Sequence, residues 1–135
     1  MRIRYKSATR LACFCLTIVP LIGCGSSTID SITRKRVNLF LEVKGVLQDV
    51  TDEASARSAV DKLKSIRDKD DVLKTQLQAL RPTSGDQKAI REKYEADYVE
   101  LVKAIHNEEL RIRRFPALKV HLDEAMKWLD QAAPF

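Results

Sequence analysis

The stretch RPTSGDQ, residues 81–87, lies between two long segments that both have the periodicity of an amphipathic helix. Pro82 disfavours helical geometry in the residue before it, so the upstream helix should end by Arg81. Ser84 with Gln87 can form a capping box for the next helix, which we expect to begin at Ser84. This stretch therefore predicts two helices joined by a short turn.

The helix before the turn should begin at Val50-Thr51-Asp52-Glu53, where the Thr51 hydroxyl can cap free backbone N–H groups. Its apolar stripe follows helical spacing except at Asp70. The helix after the turn should run to about Arg114. The predicted stripes are Ala59, Leu63, Ile66, Leu73, Leu77 and Leu80 before the turn, and Ile90, Tyr94, Asp97 or Tyr98, Leu101, Ile105 and Ile112 after it.

Two further helices complete the predicted fold. A first helix over residues 30–50 has an apolar stripe that Arg36 interrupts, so its first turns are expected to be exposed. No glycine or proline marks its boundary with the next helix, which leaves open whether the two are continuous. A short fourth helix follows Pro116. The stripes are Ile29, Ile32, Leu39, Phe40, Val43, Val46, Leu47 and Val50 in the first helix, and Leu118, Leu122, Met126 and Leu129 in the fourth.

The fold class predicted for residues 30–135 is all-α. No segment shows the alternation of polar and apolar residues that a strand requires. The second and third helices, each about 29 residues or roughly 43 Å long at 1.5 Å per residue, should form an antiparallel hairpin. The first and fourth helices should pack onto that hairpin and complete one bundle domain.

The N-terminus has the layout of a secretory signal peptide. Residues 1–10 carry four basic and no acidic side chains, and residues 11–22 are uncharged. This apolar run is shorter than the about 20 residues that a membrane-spanning helix needs. We therefore predict a signal-peptide helix that is removed by cleavage.

The segment Leu21-Ile22-Gly23-Cys24 resembles the lipobox of bacterial lipoproteins. The resemblance implies cleavage between Gly23 and Cys24, attachment of a diacylglycerol to the Cys24 thiol, and acylation of the new amino group by a fatty acid such as palmitate. It places the protein on the periplasmic side of the bacterial cell envelope. Gly25 is not the aspartate that retains such proteins in the inner membrane, so the outer membrane is favoured. Residues 24–29 then hold the lipidated cysteine and a short tether.

The body of the chain resembles small helical bacterial lipoproteins of unknown function. The resemblance covers GVLQDVTDEASARSAVDKL, residues 45–63, and the later REKYEADY, residues 91–98. It implies a lipid-anchored helical architecture and provides no activity or site residues. The small residues after Thr51 should allow close approach of helices near Gly45.

Removal of residues 1–23 changes the charge and the cysteine content of the chain. The whole sequence has 24 basic and 19 acidic residues, and the removed part carries four basic ones, so the mature chain has a net charge of +1. This charge favours no nucleic-acid partner. Cys13 and Cys15 leave with the signal peptide, and a lipidated Cys24 can form neither a disulfide nor a thiolate metal site.

The remaining titratable residues predict no catalytic, cofactor or metal site. His106 and His121 lack the spacing of paired metal ligands, although His121 and Glu124 share a helical face and Met126 could in principle complete a haem ligand pair. The adjacent carboxylates Asp70-Asp71 and Glu108-Glu109 diverge around their helices and are expected to be solvated. Pairs at four-residue spacing support that interpretation: Glu53 with Arg57, Arg67 with Asp71, Asp70 with Lys74, and Lys93 with Asp97.

Three classes of function remain open from the sequence. The first is a non-enzymatic interaction or structural module, monomeric or weakly oligomeric, with an unidentified envelope protein as partner. The second is an oligomeric coiled coil or a chaperone-like clamp, and the third is a ligand or cofactor carrier. The basic residues Arg34, Lys35 and Arg36 follow Cys24 closely and are candidates for contact with lipid headgroups.

Overall fold

The computed structural model describes residues 25–129, with side chains from Thr28 onward, and this part of the chain is entirely helical. Its four α-helices are α1 (Gly25–Gln48), α2 (Glu53–Ala79), α3 (Ser84–Arg113) and α4 (Pro116–Met126). The predicted class, three long helices and a short C-terminal one, is confirmed. The predicted signal-peptide helix lies outside the described residues. Helices α1 and α2 are separate, because the chain leaves helical geometry between Gln48 and Glu53.

The helices alternate in direction, but they do not pack as the predicted hairpin. Helix α1 packs against both α2 and α3, and α4 also packs against both. Helices α2 and α3 run antiparallel and make almost no contact with each other. Helices α2 and α3 therefore lie diagonally across the bundle from each other. Helix α1 lies between them along its whole length, whereas α4 lies between them only near the α1–α2 turn. The short loop between α2 and α3 makes them antiparallel but does not bring them into contact along their length.

The core consists mainly of the predicted stripes, although Val46, Leu73, Leu77 and Ile90 are only partly buried and Ala56 was not predicted. Its fully buried members include Val43, Leu47, Val50, Leu63 and Ile112, none of which exposes any surface. Ile29 and Ile32 are also buried, so the first turns of α1 are packed. The expectation that these turns are exposed is wrong. Leu80 is 40% exposed and does not belong to the core. The remaining buried apolar side chains are Leu39, Phe40, Ala56, Ala59, Ile66, Tyr94, Leu101, Ile105, Leu118, Leu122 and Met126.

Helices α2 and α3 both begin with a capping box, and its first residue lies one position away from the predicted cap in each case. At α2 the cap is Asp52, whose carboxylate accepts from the Ser55 backbone N–H at 2.8 Å. At α3 it is Thr83, whose hydroxyl accepts from the Asp86 N–H at 3.2 Å. In each case Asp or Ser takes the place of the Glu or Gln that a capping box commonly has at its fourth residue. The predicted caps at Thr51 and at Ser84 with Gln87 are wrong.

The turn between α2 and α3 ends α2 through backbone conformation. Arg81 has a φ of 48°, in the left-handed region, which stops the helix immediately before Pro82. Of the small residues at the start of α2, Ala56 and Ala59 are buried and belong to the hydrophobic core. The expected close approach at Gly45 does not occur, because a Cβ placed on Gly45 would meet no atom within 4 Å.

Candidate functional site

The residues of the predicted lipid anchor lie outside the described part of the chain. Gly23 and Cys24 precede the first described residue, and α1 begins at Gly25, directly after the cysteine. Residues 25–28, which were expected to form a tether, are part of the first turn of α1. No described helix is both long and apolar enough to cross a bilayer.

The basic triplet Arg34-Lys35-Arg36 divides into two exposed residues and one buried residue. The Arg34 side chain is 63% exposed and lies 3.6 Å from the carboxylate of Asp30 one turn earlier. Lys35 is exposed. Arg36 is only 3% exposed, so its guanidinium cannot contact lipid headgroups in the folded protein. The headgroup prediction is therefore wrong for Arg36 and stays a prediction for Arg34 and Lys35.

Arg36 pairs with Asp70 across the α1–α2 contact. Its Nε donates to Asp70 Oδ1 at 2.7 Å, and Nη2 lies 3.5 Å from Oδ2. Asp70 exposes no surface, and its Oδ2 also lies 3.0 Å from Lys74 Nζ. The two polar residues that interrupted the apolar stripes of α1 and α2 are thus partners inside the bundle. The expectation that Asp70 is solvated is wrong, although the predicted pair with Lys74 is present.

An aromatic cluster lies beside this ion pair. The ring of Phe40 contacts Tyr98 edge to face, with centroids 5.6 Å apart, and lies 6.0 Å from the ring of Trp128. Burial raises the pKa of the Tyr98 hydroxyl, while the Arg36 charge acts in the opposite direction. These rings join α1, α3 and the turn after α4 around the buried charges.

A second polar cluster holds the start of α1 against α3. Asp30 Oδ1 accepts from Lys93 Nζ at 2.6 Å and from the Tyr94 hydroxyl at 2.9 Å. The hydrogen bond from Lys93, and then that from Tyr94, lowers the pKa of Asp30. Lys93 was expected to pair with Asp97 on its own helix, but it reaches across to α1 instead.

The other end of α1 is held by Arg111. Its guanidinium donates to the backbone carbonyls of Leu47 and Val50, both at 2.8 Å, and its Nε donates to Glu108 at 2.6 Å. A cation from α3 therefore binds carbonyls at the end of α1 and just beyond it, where the Leu47 carbonyl also accepts from the Val50 backbone N–H at 3.2 Å. Nothing in the local sequence of α1 indicates this, because the partner is more than 60 residues away.

The two histidines do not assemble a metal site with the other described side chains. His106 is 62% exposed and lies 3.7 Å from the Glu109 carboxylate. Glu109 is buried, so the expectation that it is solvated is wrong. Glu124, the neighbour of His121 on its helical face, pairs with Lys127, and this hydrogen bond lowers the pKa of Glu124. No group of three or more potential metal ligands occurs among the described residues.

A groove opens between the end of α2 and the start of α3, at the end of the bundle where α1 begins. Its volume is about 390 Å³. The groove exists because α2 and α3 make almost no contact and α4 ends before it reaches this half of the bundle. Its lining residues are Thr33, Leu77, Gln78, Pro82, Gln87, Ile90 and Arg91. Periodicity places Leu77 and Ile90 on apolar stripes but does not reveal that the stripes are separated here.

Comparison with known proteins adds no assignment to these features. No protein-family model matches the chain, and neither a curated protein nor a solved structure is significantly similar to it. The function is therefore inferred from the residues and the geometry described above.

Proposed function

We propose that this protein is a lipid-anchored protein of the bacterial envelope whose helical bundle acts as a non-enzymatic interaction or structural module. The observation that carries the proposal is the lipobox-like Leu21-Ile22-Gly23-Cys24 behind a basic and then apolar N-terminus. Acyl chains on one residue act together, since each buried methylene contributes about 0.8 kcal/mol and two or more chains give stable anchoring. The proposed site is the periplasmic face of a membrane, with the outer membrane favoured.

The start of α1 at Gly25 specifies how such an anchor would hold the bundle. With no tether after Cys24, the lipidated residue would be joined directly to a helix. Arg34 and Lys35 then lie ten and eleven residues along α1, or roughly 15 Å from the anchor. Both are exposed and available for headgroup contact, at about 1 kcal/mol for each basic side chain near an anionic surface. The sequence after Cys24 holds no nucleophile elbow or phosphate-binding loop, which supports a non-enzymatic role.

Substitution of Cys24 tests the anchor. We expect Cys24→Ser in the full chain to abolish incorporation of an alkyne-labelled palmitate and to shift the protein out of the detergent phase on Triton X-114 partitioning. The matched control is Cys15→Ser, which changes a cysteine of the apolar run and should leave labelling and partitioning unchanged. Equal labelling of the Cys24→Ser and unmodified proteins contradicts the anchor.

An oligomeric envelope protein is the second candidate, and exposed apolar residues on α3 favour it. Val99, Val102 and Leu110 are 42%, 39% and 44% exposed. On a surface helix these residues lie outside the core stripe, where a second helix could cover them. Light scattering coupled to size-exclusion chromatography of residues 25–135 separates the candidates. A mass that rises with concentration and falls in Val99→Glu supports the oligomer, and a constant monomer mass excludes it.

A further inference from the structure

The groove between α2 and α3 combines an apolar floor with a polar rim. Leu77, Pro82 and Ile90 provide the apolar surface, while Gln78 and Gln87 contribute side-chain amides. Such a lining, with few polar groups at one margin, is typical of a small-molecule site, and its volume of about 390 Å³ lies in the range of such sites. Two turns of α-helix, about 11 Å long and 10 Å across, occupy roughly 850 Å³ and do not fit. The groove therefore suits a slim ligand.

Arg91 gives this rim a cationic group that is free to bind a ligand. Lys88 pairs with Glu92 and Lys93 pairs with Asp30, but Arg91 has no carboxylate partner among the described residues. It is exposed, and it is the one basic residue that lines the groove. The nearby carboxylate of Asp86 accepts two hydrogen bonds from Thr83 within the cap of α3. A ligand that fits this arrangement has an apolar chain and an anionic head.

The groove also lies at the end of the bundle that the proposed anchor would hold to the membrane. Thr33, on its α1 side, is eight residues from Gly25, or about 12 Å along the helix. Arg81, in the α2–α3 turn at the same end, is likewise exposed and has no carboxylate partner among the described side chains. This step rests on the proposed function, because it uses Cys24 as the point of attachment.

We propose that this groove binds one acyl chain of an anionic membrane phospholipid. The chain lies against Leu77, Pro82 and Ile90, and the phosphate lies at Arg91. At roughly 30 Å³ for each methylene-sized group, about the share of one water in the liquid, the groove holds about a dozen such groups. Charge complementarity selects an anionic over a zwitterionic head, because a neutral head gains no net attraction from Arg91.

Binding of a soluble lysolipid tests the groove directly. The protein used is residues 25–135, which retains all the buried core residues of the described part of the chain, since these lie between Ile29 and Met126. Monomeric lysophosphatidylglycerol, below its micelle concentration, should shift the NMR signals of the Gln78 and Gln87 side-chain amides saturably. Lysophosphatidylcholine should bind about fivefold more weakly, as expected for one charge contact of about 1 kcal/mol.

Two variants separate the chain and head contacts. Ile90→Glu places a charge on the groove floor and should weaken binding at least tenfold, while Val120→Glu, the same type of change at an exposed valine of α4, should not. Arg91→Gln should weaken lysophosphatidylglycerol binding about fivefold and remove its advantage over lysophosphatidylcholine. Arg113→Gln, at the far end of α3, is the matched control.

Several results overturn the proposal. These are the absence of saturable shifts at the groove, equal binding of glycerol 3-phosphate without a chain, or equal losses in Ile90→Glu and Val120→Glu. Because residues 25–135 lack Cys24, the lysolipid titration is independent of lipidation. Failure of palmitate labelling at Cys24 with saturable lysolipid binding rejects the anchor alone, and the reverse result rejects the groove alone.

Discussion

Replacement of Asp70 by alanine is expected to destabilise the bundle by about 3–5 kcal/mol, a loss comparable to the whole stability of many small domains. The substitution removes the carboxylate that accepts the Arg36 Nε hydrogen bond at 2.7 Å. The guanidinium stays inside the protein, where a charge without its counterion is costly. Urea denaturation followed by Trp128 fluorescence measures the effect, since this single tryptophan packs near Phe40 in the core.

The adjacent Asp71 provides a matched control for this prediction. Its side chain is 57% exposed, and its ion pairs are with Arg67 and Lys74 on the surface of α2. Asp71→Ala should therefore change stability by no more than about 1 kcal/mol. The double variant Arg36→Met with Asp70→Leu removes both charges and should recover most of the lost stability, because apolar residues of similar volume often replace a buried pair without cost. Equal losses in Asp70→Ala and Asp71→Ala contradict the assignment of a buried pair.

The helices themselves follow from local signals in the sequence. Pro82 and Pro116 stop or start helices for steric reasons that act within one or two residues, and apolar spacing identifies the face of each helix that becomes buried. The stripes in α1 and α4 were predicted almost residue by residue. Local rules were sufficient here because helix formation and its termination depend on neighbours in the chain.

The arrangement of the helices depends on contacts between distant residues, and local sequence patterns did not predict it. A short loop implies that α2 and α3 are antiparallel, but it does not require them to touch. The buried faces of both helices pack on α1, which is long enough to separate them. Local spacing could not indicate this choice, because each stripe is compatible with several neighbours.

The buried ion pair shows how an apparent defect in a pattern can carry structural information. Arg36 interrupts the stripe of α1 and Asp70 interrupts that of α2, and each alone suggests an exposed turn or solvated charge. Together they have opposite signs and occupy matching levels on two antiparallel helices. A search for oppositely charged interruptions in paired stripes could have found them. Lys93 and Arg111, by contrast, lie outside the apolar stripes, where residue spacing provides no such signal.

The proposed anchor and groove divide the function between two parts of the chain. Cys24 would determine where the protein is, through chemistry that depends only on a short N-terminal segment. The bundle would determine what is held there, because α4 ends at Met126 and no described helix covers the end of the α2–α3 diagonal near Gly25. Stability of the core and the proposed attachment to the membrane would therefore be separable, and variants that change one should leave the other intact.

Replacement of Leu63 by alanine is the other large effect that we expect, at about 2–5 kcal/mol of lost stability. Leu63 exposes no surface and belongs to the central cluster of α2 with Ala59 and Ile66. Truncation removes three carbon atoms from this cluster, and the helices cannot close the space fully because Arg36 with Asp70 and Arg111 with Leu47 fix α1 on either side. The midpoint of urea denaturation should fall, while the slope of the free energy of unfolding against urea concentration should stay the same.

The matched control is Leu80→Ala near the end of the same helix. Leu80 is 40% exposed, so its truncation removes less buried surface and should cost less than about 1 kcal/mol. Leu63→Ala should also leave Cys24 labelling unchanged, since the core does not contribute to the lipobox-like segment. If the two leucine variants lose stability equally, Leu63 is not packed as described, and the register of α2 against α1 must be different.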